Sequence, residues 1–474
     1  MANCAIKQSP LWNVFTAGED IIFVVSNTTA VANETKVKFI AQVHISKEQP
    51  NLSTTADIVG DFKTTPNNAG VGIFNLRNIL ENYVKADNLA VTGSASGSTY
   101  KRNYSAVPLP IHLIDRFSLN TSSIRNLGIQ FKVEFLDQDI TSNTYGQIIT
   151  TGTQNSSTSY KFFNGYLKYT DELDFGAGTT NFGYAKIDDF YPAGSSGRFL
   201  TNAPTTQYAN YGDYGTLAVL TSSSGAASNV RHAEIFFYNA AGVVHGTSVE
   251  YNRTAPNGAF NTWTSDSENE ILYVGCFPGN VEQMNPTTWA TVVAWGMTHY
   301  KVMMTNSSNS PSTESITINL NCPNEKGYES IRLCWLNQWG VWDYYTFTQK
   351  SVRSISTQGS TYQQLGGTWN ESIYRISSYK GGKKAFRRNV TEKIKMNTNF
   401  VSEDDNVMFE ELINSPEVYL LQGLQTDTYS ALNQYVTPVR VTNSTFTRKT
   451  IANDKLMQYT FEIEKSKTLR TQSI

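Results

Sequence analysis

The 474-residue chain is short of charge and of cysteine. Charged side chains make up 16 % of it, and 38 basic against 40 acidic residues leave a formal net charge of -2. Such a chain has no global field for gathering nucleic acid or an anionic membrane, so nucleic acid is not an expected partner. Low net charge leaves it free to associate with itself or with other proteins. The four cysteines, Cys4, Cys276, Cys322 and Cys334, are too few for a disulfide scaffold. Long apolar runs are missing too. The longest, Ile21 to Val25, falls far short of the ~20 residues that span a bilayer, and the opening segment has no apolar stretch of signal-peptide length. The expectation is a protein made in the cytosol and not inserted in a membrane. Asn-x-Ser/Thr sequons, at Asn27, Asn33, Asn120 and Asn443 among others, then reflect composition and not glycosylation.

Catalytic signatures are equally scarce. There is no Walker lysine motif, no HExxH zinc motif and no GxSxG nucleophile elbow. "YKGGKK" has a Gly-Lys step, but neither Ser nor Thr follows Lys383. The five histidines (His44, His112, His232, His245, His299) are scattered, with none at i, i+4 spacing. His232 and His245 flank the turn "NAAG" and could approach each other there. A hydrogen-bonded or solvated strand histidine is the commoner outcome. Acidic groups occur at Asp171, Glu172 and Asp174 and at Asp188 and Asp189. A glycosidase needs two carboxyls roughly 5 to 10 Å apart across a sugar bond, but acidic pairs in loops usually serve solvation. Cys322 and Cys334 bracket a credible hairpin loop. Buried thiols acting as small hydrophobes are the leading reading, then a disulfide, then zinc. No catalytic residue, metal or cofactor is expected.

What the sequence has in plenty is Ser, Thr, Asn, Gly and Tyr, a mix that suits strands and turns. Residues 37 to 45, "VKFIAQVHI", place Val37, Phe39, Ala41, Val43 and Ile45 on one face, the period of a half-buried strand. "IIFVVS" before it reads as its partner. Residues 129 to 135, 315 to 320 and 459 to 464 alternate likewise. Two helices are expected. One covers 74 to 84 with Asn75 as N-cap; the other lies within "EDDNVMFEELINSPE", capped by Asp405 and stopped by Pro416. Joints are expected at "YPAGSSGRFLTNAP" and near "TQKSVRSISTQGSTYQQLGG". These divide the chain into 1 to 197, 198 to 350 and 351 to 474. The fold class is mainly β, with several antiparallel sandwich or partial-barrel domains and a few short helices.

Two stretches stand out as contact candidates. "IRLCWLNQWGVWDYYTF" (331 to 347) reads as a hairpin turning at "QWG", where the Gly permits positive φ. Both faces are partly apolar, so it is expected to be covered on both, by the rest of its domain or by a neighbouring subunit. Trp339 at the tip is expected to be exposed and, with Trp342 and Tyr344, to offer apolar contact. "YKGGKKAFRRNVTEKIK" (379 to 395) is the most basic stretch, with Tyr379 and Phe386 interleaved. Phosphate contacts with stacking, a charged rim for an acidic partner, or a merely solvated strand would each suit it. Lys383, Lys384, Arg387 and Arg388 are the polar contact candidates.

An ordered set of segments carries a resemblance: "RFLTNAP", the "YNAAG" turn, the aromatic hairpin, "ELINSPEVYLL", and "YVTPVRVTNSTFTRKT" followed by "KLMQYTFEIE". Together they resemble virion structural proteins of tailed phages, of the crAss-like kind and relatives that infect Bacteroidetes-type hosts. About the last 280 residues are covered, and "TPNNAGVGIFNLRNILENYV" also fits. The resemblance implies a β-rich building block of the tail, baseplate or neck, without enzymatic activity. Its partners would be copies of itself and other virion proteins, and its place the virion, after assembly in the host cytoplasm. A fibre module that binds a host-surface glycan, and a glycoside hydrolase, are the alternatives.

Overall fold

A computed structural model describes residues 3–10, 13–90, 109–156, 160–172, 187, 190, 197–221, 230, 232–252, 270–306, 308–321, 327–368, 371–423, 434–450, 456–466 and 469–473. The protein is mainly β, built from antiparallel and mixed sheets with few short helices, and no closed barrel occurs among the described residues. Nor is any helix among them long and apolar enough to cross a membrane.

The chain divides into two compact units. One comprises residues 1–320 and 336–343, the other 321–335 and 344–474. The expected limit at 197 falls inside the first unit and that at 350 inside the second.

In the first unit two sheets make a sandwich. The smaller has the order β1 (Ala5–Gln8), β3 (Ile22–Ser26), β6 (Val71–Asn75). The larger runs β2 (Val14–Thr16), β10 (Tyr160–Phe163), β8 (Ile124–Leu136), β4 (Thr35–Ser46), β5 (Ile58–Thr64), with β9 (Ile148–Asn155) also on β8. Alternation on β4 sends Phe39, Ala41, Val43 and Ile45 into the core between the sheets. There Phe23 and Phe74 meet Phe131 at ring-centroid distances of 5.7 and 5.9 Å. Burying such rings is worth roughly 2–3 kcal/mol each. β3 is not the partner of β4, as its position just before it suggested. A short helix, Thr28–Asn33, lies between them and β3 pairs with β1 and β6.

Two further sheets complete this unit. β7 (Phe117–Leu119), β12 (Thr216–Leu220) and β15 (Ile271–Gly275) form one, with β15 central. The other has the order β11 (Thr206–Ala209), β17 (Ile316–Leu320), β16 (Met297–Thr305), β13 (His232–Asn239), β14 (Val249–Asn252). Asp87 is a buried carboxylate satisfied from several sides. It accepts from the backbone N–H groups of Thr121, Ser122 and Ser123, from the Thr121 and Ser123 hydroxyls, and from the Tyr273 hydroxyl. A buried charge needs such a set of donors to be tolerated.

The second unit has a single sheet, in the order β19 (Trp342–Phe347), β18 (Ile331–Leu336), β22 (Val418–Leu421), β23 (Val436–Val441), β24 (Thr460–Lys465), β21 (Gly382–Asn397), β20 (Val352–Gln364). β25 (Leu469–Ser473) also pairs with β21. The helix Asp405–Asn414 supplies Phe409, whose ring meets Tyr345 and Phe461 at 5.0 and 5.4 Å. Asp405 lies inside the first turn and accepts from the Ser402 N–H and hydroxyl, and the helix stops at Ser415, one residue before Pro416. The helix expected over 74 to 84 is shorter, Arg77–Leu80, because Phe74 and Asn75 end β6. The Asn75 side chain does accept the Arg77 N–H, at 3.1 Å.

Candidate assembly surface

The aromatic hairpin turns where its sequence said it would. Residues 337–341 make the turn, with Asn337 N–H donating to the Val341 carbonyl at 2.9 Å and Gly340 at φ +72°. Both strands are buried throughout but for half-buried Leu336. The exposure expected of the tip is overturned, because residues 336–343 belong to the core of the first unit. Trp339 is 0 % exposed. Its ring lies 4.3 Å from that of Phe190, and its indole N–H donates to Asn202 Oδ1. Trp342 donates its indole N–H to the Asp87 carbonyl and meets the His112 ring edge-on. Gly340 sits so close to Asn164 that a Cβ there would fall 1.4 Å from the Asn164 carbonyl oxygen. Tyr344, in the second unit, is buried beneath the Arg332 guanidinium, 5.1 Å from its ring centroid. None of these three aromatic side chains offers a free surface. Turn tips are exposed only where nothing closes over them, and here a rich set of polar partners does.

The open surface lies just downstream. β20 and β21 form a long antiparallel ribbon, from Val352 opposite Lys395 to Gln364 opposite Gly382. Thirteen residues of extended chain span about 43 Å. β20 is the outer strand of the sheet, and every residue from Val352 to Thr361 is exposed. Beyond it the connection to β21 carries exposed apolar side chains at Leu365, Ile373, Tyr374, Ile376 and Tyr379, and β21 adds Phe386 alongside β20; Ile376 is 76 % exposed. Gly367, at φ +94°, allows the Tyr374 ring to lie flush on the backbone, where a Cβ would be 2.2 Å from that ring. The Tyr374 hydroxyl donates to the Gly366 carbonyl. An apolar cluster held out in this way has the character of a contact site.

The basic stretch lies on this ribbon, but register splits it. Phe386 is an extra residue on β21, since Arg387 faces Ser360 and Ala385 faces Thr361. Lys384 and Arg387 therefore share one face, Lys383 and Arg388 the other. None of the four pairs with a carboxylate among the described residues; Lys384 donates to the Tyr379 carbonyl at 2.5 Å. Split by twos, they do not form a single phosphate-binding patch.

The base of the ribbon is anchored. Arg353 forks onto Glu329, at 2.6 and 2.9 Å, and reaches Glu392 at 2.7 Å. Lys465 holds the other Glu392 oxygen at 2.8 Å. The Arg353 bonds hold the Glu329 carboxyl below its ordinary value, and the Lys465 bond followed by Arg353 does so for Glu392.

The other chemical candidates separate. His232 faces Glu250 at the base of the β13–β14 hairpin. His245 lies near the turn, edge-on to Trp295 at 4.9 Å. His44 is fully buried, and burial lowers its pKa. Among the described residues no group of three or more His, Cys, Asp or Glu is placed to hold a metal. Asp171 accepts from the Gln338 side chain and the Lys168 N–H, a structural use of its carboxylate. Asp174, Asp188, Asp189 and the Glu172 side chain lie outside the described residues, as does Cys322. Cys334 is a buried thiol pushed above its ordinary pKa by desolvation.

No protein-family model matches the chain, and no curated protein is similar to it. Among solved structures, E. coli alpha-2-macroglobulin in its native conformation aligns at 8 % identity and a TM-score of 0.17. The alignment covers 83 % of this chain and 22 % of that one, so the chain spans about a fifth of that protein's length, and a likeness this slight carries no argument about fold or function.

Proposed function

We propose that this chain is a non-enzymatic structural subunit of a tailed-phage virion, in the tail, baseplate or neck, working through protein–protein interfaces. The observation that carries an interface role is the β20–β21 ribbon, an outer strand exposed along its length beside an exposed apolar cluster. The resemblance of the ordered segments from 198 onward is the reason to place that role in a virion. The basic residues Lys383, Lys384, Arg387 and Arg388 would supply polar contacts around the cluster, adding association rate and orientation more than affinity. Gold labelling with an antibody to this protein, on particles from a lysate of its source, is the test. Gold at the tail or the tail–head junction supports the reading. Gold over the capsid keeps the structural role and moves its place. Bare particles, with the protein in the soluble fraction, end it.

A second reading has its own observation. Tyr374 and Tyr379, five residues apart in the connection between β20 and β21, are both exposed, and exposed aromatic rings of this kind are what a sugar-stacking platform uses. Binding of surface polysaccharide, lost in Tyr374→Ala and Tyr379→Ala, would favour a host-surface glycan-binding fibre module.

A further inference from the structure

We propose that β20 is a self-pairing edge, taking β20 of a second copy of this chain in antiparallel register so that two sheets become one. This rests on the assembly reading above and names its partner and its contact.

An outer strand presents a row of N–H and C=O groups that can template another strand, and proteins guard against this with charge, proline or cover. Some other outer strands carry charge: β5 has Asp61 and Lys63, and β14 has Glu250. On β20, over thirteen residues, these devices come down to a single charge. The strand contains no proline, and no strand pairs with its outer edge among the described residues. Its one charged residue, Arg353, is already engaged by Glu329 and Glu392. A chain that leaves thirteen such residues open has an edge built to be used.

The composition of the strand points to a second copy. In an antiparallel pairing centred on Gln358, Ile355 meets Thr361, Ser356 meets Ser360 and Ser354 meets Tyr362. Arg353 meets Gln363, so no like charges oppose each other. Hydroxyl and β-branched pairs of this kind stabilise a ladder by ~0.2–1 kcal/mol each. Charge also selects the direction. Lys383 lies opposite Gln363, near the turn end of the ribbon. A parallel in-register pairing would set each basic residue level with its copy, whereas the antiparallel one offsets the two Lys383 by about 33 Å along the strands, the two Arg387 by about 13 Å and the two Arg388 by about 7 Å.

The experiment measures self-association of the full chain by sedimentation across a concentration series. Ile355→Lys with Thr361→Lys puts lysine opposite lysine at both symmetric positions. Ile355→Lys with Thr361→Glu puts opposite charges there. Both positions are exposed, so either variant should fold, and an unchanged melting transition checks this. The native chain should associate, the double-lysine variant at least about 10-fold more weakly, and the lysine–glutamate variant like the native chain. A native chain that stays monomeric overturns the proposal, as does a double-lysine variant that associates like the native one. Labelled particles together with either of those results would leave the virion reading standing and remove only β20 self-pairing. Unlabelled particles with a charge-reversible dimer would do the reverse.

Discussion

The chain makes two hairpins in succession, and they have opposite fates. The first, 331–347, is short, aromatic and closed over; the second, 352–397, is long, polar along its strands and open. In the first, the tip with Asn337, Gln338 and Gly340 finds matching partners in the unit that holds it, while Tyr345 and Phe347 pack on Phe409 and Phe461 within the other unit. In the second, Ser, Thr and Gln fill both faces of β20, so nothing drives a second layer over it. The few apolar groups there gather near the turn, where Gly367 and Tyr374 hold them out. What decides cover is therefore the supply of partners for the polar groups as much as the count of aromatic rings. A Trp at a turn is core when its N–H has an acceptor, as Trp339 has in Asn202.

Substitutions can break this contrast. Gly340→Val should have the largest effect, since it combines positive φ with a collision against backbone; little soluble, cooperatively melting protein is expected. Trp339→Ala should cost about 3–5 kcal/mol in urea denaturation. A loss below about 1 kcal/mol would mean that the tip is not core.

Asp343 gives a sharper probe of the same tip. Burial pushes its carboxyl up to about 6, against the opposing pull of hydrogen bonds from Thr201 and Asn337. A raised carboxyl pKa favours the protonated form in the fold. Its stabilisation is thus complete below about pH 4 and lost as pH rises through about 6. Asp343→Asn, which cannot ionise, should gain on the native chain between those values, by on the order of 2 kcal/mol. Equal pH profiles for the two proteins would contradict the assignment.

At the foot of the ribbon the expected effects are smaller. Glu329→Gln removes the charge that Arg353 forks onto, and solvent screening there limits the cost to about 1 kcal/mol. The Glu329 and Glu392 carboxyls are held low, so their contribution is present above the ordinary carboxylate pKa and fades as pH falls through the lowered values. Loss of amide protection in β20 on acidification would report this. Ile376→Ser should change monomer stability by no more than about 0.5 kcal/mol, while weakening any association that uses the ribbon. A large drop in melting temperature would show that the side chain is packed.

Much of the architecture could be read from residue order. Alternation at 37–45, 129–135, 315–320 and 459–464 marks β4, β8, β17 and β24, because each has one face in a core. The same logic explains the main miss. "SVRSISTQGSTYQQ" has no apolar period, since both faces of β20 meet water, and so it reads as a joint between domains. The best clue is the run of β-branched and hydroxyl residues broken by a single glycine, Gly359, before the Gly-Gly pair at 366 and 367. Trp339 was misplaced for the converse reason: its partners, Phe190 and Asn202, lie more than a hundred residues away, and no local pattern announces them.

The position of the aromatic tip has a bearing on how the protein is made. Residues 336–343 complete the core of a unit whose other residues end at 320. A ribosome must therefore release the whole of that unit before the segment that finishes it has emerged. Until then Phe190, Asn202 and Asp87 lack the indoles they receive from Trp339 and Trp342. Synthesis order thus makes this hairpin a late-arriving keystone, and a chain cut at residue 320 should behave as an unfinished vault, prone to bind chaperones or to clump.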